Sequence, residues 1–164
     1  MAIKNIQDLF VHELSDIYSA EKQLTKALPR LARASSSPEL AEAFTMHLDE
    51  TQGQIERIDQ VVDELGIKLK RIKCAAMEGL VEEGKEAIDA IEQGPLRDAA
   101  LIAGAQKAEH YEIASYGTLA ALAKQLGYNN ALKALLETLE EEKATDEKLT
   151  LLAEQGGNQA AAED

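Results

Sequence analysis

Aromatic residues and prolines are scarce in this sequence, and their scarcity restricts the fold. Aromatic residues make up 4% of the 164 residues and there are 3 prolines, whereas 45% of the residues are hydrophobic. Strands are enriched in aromatic and β-branched residues, and proline interrupts helices. The composition therefore argues against a β-rich fold and predicts an all-α protein.

Cysteine is almost absent as well. The one cysteine, Cys74, excludes a disulfide within the chain and fits a reducing cytoplasm. Residues 1–10 do not have the basic start and apolar run of a secretory signal, and none of the apolar stretches approaches membrane-spanning length. We therefore expect a cytoplasmic protein that makes no contact with a membrane.

Basic residues are far fewer than acidic residues. The chain has 17 Lys and Arg residues against 30 Asp and Glu residues, which gives a formal net charge of −13. A protein of this charge is repelled by nucleic acid phosphates and by anionic lipid surfaces. The sequence therefore predicts that neither is a partner.

Helical periodicity is what the sequence has in abundance, and Ser-Pro, Gly-Pro and single glycines punctuate it. The predicted long helices run from about 5 to 33, 38 to 65, 96 to 126 and 129 to 153, with a shorter helix within the connection 67–94. One long connection between two helix pairs predicts an antiparallel four-helix bundle with one long crossover that carries an additional short helix. We expect one domain over residues 1–155 and a disordered tail over residues 156–164, which are rich in Gly, Asn, Gln and Ala.

The apolar face of each long helix turns polar near its middle. A buried charge is costly unless a cation or a hydrogen bond meets it, so these interruptions need an explanation. In chain order the polar positions are Glu21, His47 with Glu50 or Thr51, Glu109 with Glu112, and Glu142 with Asp146.

The hairpin turns predict the height of these residues in the bundle. Glu21 and Glu50 each lie about 12 residues from the first turn, roughly 18 Å along their helices. Glu112 and Glu142 lie about 14 and about 12 residues from the second turn. The polar positions of all four helices should therefore fall in one layer.

Carboxylates and a histidine in one dry layer cannot all be charged, so they must take up protons, admit water or bind cations. An oxygen-rich set of ligands with imidazole suits iron or manganese, and two divalent ions would neutralise so many charges. Taken singly, each residue has an ordinary explanation: Glu21 as a solvated residue, His47 as a hydrogen-bonded core histidine, Tyr116 as core. Taken together at one height they indicate a metal site, with the metal ligands Glu21, His47, Glu50, Glu109, Glu112, Glu142 and Asp146.

Three segments, residues 47–51, 108–114 and 139–146, resemble the YciF/YciE family of the ferritin-like superfamily, and the resemblance extends over nearly the whole chain. It implies a ferritin-like bundle with an additional crossover helix, a homodimer and a link to bacterial stress responses, but it implies no biochemical activity. Three residues would then hydrogen-bond to the ligands from outside the metal site, namely Gln54, His110 and Tyr116.

The sequence also departs from the pattern of that superfamily. Rubrerythrin-like members carry Glu-x-x-Glu on the third helix, which Glu109 and Glu112 match. The second helix, where Glu-x-x-His is usual, has the reversed order His47-x-x-Glu50. The fourth helix follows Glu142 with Thr145, where histidine is usual.

Two functions follow as hypotheses. The first is a stress-associated, di-iron or di-manganese protein that handles iron or peroxide; if it is an enzyme, it is an oxidoreductase. Its electrons would come from an external donor, because the single cysteine excludes a rubredoxin-like cluster. The second is a non-enzymatic dimeric stress or interaction module with a degenerate metal site. An iron-storage shell is a weaker third reading, because nothing in the sequence indicates a cage.

Overall fold

A computed structural model describes residues 2–163 of the chain, and within that range the regular structure is helical throughout. None of the helices in this range is both long enough and apolar enough to cross a membrane. In chain order the elements are α1 (Ile6–Ala34), α2 (Pro38–Leu65), α3 (Ala75–Ala90), α4 (Pro95–Leu126), α5 (Asn129–Leu152), a π-helical segment (Ala153–Gly157) and α6 (Asn158–Glu163).

The four long helices form an antiparallel bundle. Helices α1 and α2 pack together as one hairpin and α4 and α5 as the other, while α1 contacts α4 and α2 contacts α5. Helix α3 lies in the connection between the hairpins and packs against α1 and α4. The all-α bundle with an additional helix in its crossover is therefore confirmed.

Local signals set the ends of the helices. The side chain of Asn5 accepts a hydrogen bond of 2.8 Å from the backbone N–H of Asp8 at the start of α1. Ser37 accepts one of 3.3 Å from the N–H of Leu40, with Pro38 as the first residue of α2. These caps fix where each helix begins, and so they fix the height at which its central residues lie.

In the C-terminal segment, where the sequence predicts a disordered tail over residues 156–164, α6 forms and packs against α4. Asp164 lies outside the described residues. Gly156 has a φ of +131°, a left-handed conformation that favours glycine. A Cβ atom on Gly157 would lie 2.6 Å from the carbonyl oxygen of Leu152, so the tight approach there requires glycine. The alanines that follow favour helix, which explains why α6 forms after the turn.

The first hairpin is also tied to the second at the end where α2 begins. Oδ1 of Asp98, on the first turn of α4, accepts a hydrogen bond of 2.7 Å from the N–H of Ser36. Its Oδ2 accepts one of 2.8 Å from the N–H of Ser37. The carboxylate of Asp98 is 7% exposed and thus satisfies two otherwise unpaired backbone donors before α2.

We predict that Asp98→Ala lowers the free energy of unfolding by about 2–4 kcal/mol, because two charge-assisted hydrogen bonds are lost and two donors are left unpaired. Urea unfolding followed by circular dichroism measures the change. Asp59→Ala, at an exposed position inside α2, is the control and should change stability by less than about 0.5 kcal/mol. Equal effects of the two substitutions would contradict this role of Asp98.

Candidate metal centre

Four of the predicted ligands meet in the middle of the bundle. They come from three helices: His47 from α2, Glu109 and Glu112 from α4, and Glu142 from α5. One ligand atom from each lies within 4.8 Å of the others. Their exposed fractions are 5%, 0%, 0% and 1%. The fourth long helix, α1, contributes Glu21, which is 0% exposed and close enough to Glu112 and Glu142 to be influenced by their charges.

Most of the polar atoms of this layer have no protein partner. Within residues 2–163 the following buried atoms lack a hydrogen bond: both carboxylate oxygens of Glu109, Glu112 and Glu142, Oε2 of Glu21 and Nε2 of His47. Nδ1 of His47 lies 2.9 Å from Oε1 of Glu109, without the alignment of a hydrogen bond. Leaving a buried polar group unpaired costs about 1–3 kcal/mol, and more for a charged group. The layer therefore requires protons, water or cations.

Burial shifts the protonation equilibria of the layer. It raises the pKa of Glu21, Glu109 and Glu112 well above the ordinary value, and the neighbouring carboxylate of Glu142 raises each of them further. Burial lowers the pKa of His47, against the opposing influence of nearby acidic groups. His47 is therefore a neutral imidazole near pH 7, which is the form that binds metal ions.

Two predicted ligands, Glu50 and Asp146, lie at the rim of the layer and are half-buried. Oε2 of Glu50 accepts a hydrogen bond of 3.0 Å from Oγ1 of Thr145. Oδ2 of Asp146 lies 3.2 Å from Nε2 of His110, which is 69% exposed. The inner position that the sequence left open between Glu50 and Thr51 belongs to Thr51, which is 0% exposed. The assignment of Glu50 and Asp146 as ligands stays a prediction.

The three residues expected to hydrogen-bond to the ligands differ in what they contact. The hydroxyl of Tyr116 donates to Oε1 of Glu21 at 3.1 Å, inside the core. His110 faces Asp146 at the rim. Gln54 instead donates to Oε1 of Glu141 at 3.3 Å, on the outer side of the layer.

Sequence reasoning missed an ion-pair network around Arg57. Its guanidinium donates to both carboxylate oxygens of Glu141, at 2.5 and 2.8 Å, and to Oε1 of Glu137 at 3.1 Å. Burial alone would raise the pKa of Glu141, but the hydrogen bonds from Arg57 and Gln54 outweigh it and leave that pKa below its usual range. Of the three consecutive glutamates 140–142, Glu141 is thus held outside the layer by Arg57 while Glu142 is buried within it.

The donor set fits a divalent cation. Carboxylate oxygens with one imidazole nitrogen are ligands that iron and manganese accept. Cations would satisfy the unpaired oxygens and would replace the protons that these carboxyl groups otherwise need. The arrangement can therefore hold metal ions in a site that the bundle shields from water.

We predict that the metal-free protein loses stability as the pH rises above about 4.5, the ordinary pKa of glutamate. A folded state with raised pKa values keeps protons that the unfolded chain has released, so this stability is complete at low pH and is lost as the pH passes through the folded-state pKa values. Glu112→Gln removes one such group and should raise the unfolding temperature at pH 7–8 more than at pH 4.5.

Thermal unfolding in the presence of a chelator checks this prediction. Glu147→Gln, at an exposed position on α5, is the control and should leave the pH profile unchanged. A metal-free protein whose stability rises with pH over this range, or a Glu112→Gln variant less stable than the wild type at pH 8, would contradict it.

Comparison with known proteins supports the resemblance seen in the sequence. The chain is 65% identical to Protein YciF of Escherichia coli K12 over 162 residues, which cover 98% of each chain. The crystal structure of the E. coli stress protein YciF is similar with a TM-score of 0.92 and 64% identity, covering 96% of this chain and 99% of that one. YcfI of Rhodopseudomonas palustris is similar with a TM-score of 0.87 and 46% identity, covering 90% and 94%.

A protein of Xanthomonas campestris pv. campestris shares the fold alone, with a TM-score of 0.73 at 21% identity and 92% of each chain covered. The family model described as "Domain of unknown function (DUF892)" matches residues 5–162, which is nearly the whole chain. The chain therefore belongs to the DUF892 family, the family of YciF.

Proposed function

We propose that this protein binds two divalent metal ions, iron or manganese, in the central layer of the bundle. The single observation that carries the proposal is the convergence of His47 and three glutamates on one buried point, where the six carboxylate oxygens and Nε2 of His47 lack a hydrogen bond within residues 2–163. Buried charges are costly, and apolar side chains of similar volume are often no less stable in such a place, so stability alone does not account for these groups.

The residues of the layer would bind the ions to different extents. Glu109, Glu112, Glu142 and His47 would bind directly, and the buried Glu21 would complete the layer from α1. The four carboxylates among them would together carry the charge that balances two divalent ions. Glu50 and Asp146 are further ligands if their side chains turn inward from the rim.

Iron or manganese, when bound, would supply a change of valence that can reduce dioxygen or peroxide. The protein's own contribution is to hold the ligands in position and to exclude water. The hydroxyl of Tyr116 holds Glu21, and the apolar residues above and below the layer shield it. The reaction class that we propose is oxidant or iron handling during stress; its support is the similarity to an E. coli protein described as a stress protein.

The alternative is a non-enzymatic dimeric module whose carboxyl groups are kept protonated. The reversed His47-x-x-Glu50 order and the hydrogen bond from Thr145 to Glu50 favour it. Under this alternative the layer remains charge-neutral at pH 7 without metal. The homodimer, the absence of nucleic acid and membrane partners, and the external electron donor stay predictions.

We predict that the protein, stripped of metal, binds Fe²⁺ or Mn²⁺ under anaerobic conditions in isothermal titration calorimetry, with a stoichiometry of two. At a free-ion concentration of about 100 times the Kd, the free energy of unfolding should rise by about 2.7 kcal/mol for each ion bound. Glu142→Gln removes a direct ligand and should weaken binding by at least the roughly 10–100-fold that loss of an outer hydrogen-bond partner costs.

Glu140→Gln is the matched control, because it removes a glutamate two positions away that is exposed and faces solvent. It should bind both ions with the affinity of the wild type. If the wild type takes up no ion, or if Glu140→Gln and Glu142→Gln weaken binding equally, the metal-centre proposal is wrong and the protonated module remains.

A further inference from the structure

A cleft leads from the surface to one side of the layer formed by Glu21, His47, Glu109, Glu112 and Glu142, which we call the metal layer. It lies between α1, α3 and α4 and has a volume of about 40 Å³. Its inner end is formed by His47 and Glu109, and every other residue that lines it is apolar or glycine. Half-buried residues form its outer part, among them Leu31 of α1 and Leu80 and Val81 of α3.

The size and chemistry of the cleft restrict its occupant. A water molecule needs about 10–15 Å³ of such volume and two to four polar partners, so a cleft of about 40 Å³ accepts only molecules of a few atoms. The apolar walls of the outer part do not supply those partners, and cavities with walls of this kind bind apolar gases such as xenon. Peroxide and hydrated ions, which carry several hydrogen bonds, would lose them on entering.

Two unpartnered polar groups face the inner end. His47 is 5% exposed and Glu109 is 0% exposed, and within residues 2–163 Nε2 of His47 and both oxygens of Glu109 lack a hydrogen bond. Both residues belong to the four-residue cluster of the metal layer. A molecule that passes along the cleft therefore arrives beside the ligands themselves.

A second cleft reaches the same histidine from the other face of the bundle. It lies between α2 and α5, has a volume of about 110 Å³, and is lined in part by Glu50, Thr145 and Lys148. Its charged and hydroxyl side chains suit ions and peroxide. His47 can thus be reached through one apolar cleft and one polar cleft, and the two clefts suit different molecules.

Glycines keep the apolar cleft open. A Cβ atom added at Gly104 of α4 would meet no atom within 4 Å apart from its chain neighbours and the adjacent backbone of its own helix. One added at Gly84 of α3 would lie 3.8 Å from Cδ2 of Leu31. Both residues line the cleft. Glycine inside a helix costs about 0.5–1 kcal/mol relative to alanine, and here the missing side chains leave the space that a small molecule needs.

We propose that the cleft between α1, α3 and α4 is a binding and access site for dioxygen, which it delivers to the His47–Glu109 side of the metal layer. The delivery part rests on the proposed function, whereas binding of the gas to the cleft does not. Helix α3, which the crossover adds to the bundle, supplies the outer wall of this site.

Gly104→Leu tests the proposal, because it fills the cleft from a position with open space and leaves every metal ligand in place. Gly117→Leu is the matched control: it lies on the same helix, is half-buried, and also has open space within 4 Å of an added Cβ, but it does not line the cleft. Both variants are first checked for the circular dichroism spectrum and metal stoichiometry of the wild type.

The first measurement uses metal-free protein under dioxygen pressure. Dioxygen is paramagnetic, so it should enhance the nuclear relaxation of the methyl groups of Leu31, Leu80 and Val81 above that of other equally exposed methyl groups. The enhancement should be lost in Gly104→Leu and kept in Gly117→Leu. Uniform enhancement, or enhancement that survives in Gly104→Leu, overturns the binding site whatever metal the protein holds.

The second measurement mixes Fe²⁺-loaded protein with dissolved dioxygen in a stopped-flow instrument. Two ferrous ions each lose one electron to one dioxygen molecule, which takes up two protons and leaves as hydrogen peroxide. The rate should fall several-fold in Gly104→Leu and remain at the wild-type value in Gly117→Leu, while the rate with added peroxide as oxidant should be the same in all three proteins. An equal dioxygen rate in all three overturns the access route, and failure to load iron overturns the proposed function together with the delivery.

Discussion

Mutual repulsion among buried carboxyl groups is the constraint on which this structure depends. Glu21, Glu109, Glu112 and Glu142 are each at most 1% exposed. The last three cluster with His47, and Glu21 lies close enough to feel the charges of Glu112 and Glu142. Burial already raises the pKa of three of them, and each further charge in the layer makes the next one harder to form. Protons or cations can resolve this conflict; the proposed function assigns it to cations, because a cation satisfies several oxygens at once whereas each proton neutralises one.

The rest of the molecule brings these groups to one height and keeps others away. The caps at Asn5 and Ser37 set the starting points of α1 and α2, and Asp98 ties the start of α2 to α4. Arg57 holds Glu141 outside the layer. The crossover helix α3 covers the α1–α4 side, where the apolar cleft reaches the layer.

The sequence predicts the fold and the composition of the layer because both depend on periodicity and on hairpin length. A residue that continues the apolar stripe must face the core, so Glu21, Glu112 and Glu142 could be placed from phase and register alone. The orientations of the side chains at the rim were harder to predict. Glu50 lies about 100° around the helix from Thr51, the residue that is buried, and a neighbouring donor on α5 then decides where its side chain points.

Features that arise from contacts between distant segments were not predictable from periodicity. The pairing of Arg57 with Glu141 depends on which polar side chains meet where α2 and α5 pack together, and the apolar periodicity does not specify that. The return of α6 onto α4 depends on the turn at Gly156, whereas composition alone indicated a disordered tail. The apolar cleft is a property of how α3 packs, which sequence patterns leave open.

The most direct test of the central claim is anomalous X-ray diffraction from crystals of the protein grown with Mn²⁺ or, without oxygen, Fe²⁺. The account predicts two anomalous peaks inside the bundle, within coordination distance of His47, Glu109, Glu112 and Glu142. A layer that shows only water or hydrogen-bonded carboxyl groups at saturating metal, with anomalous signal confined to the surface, would contradict it.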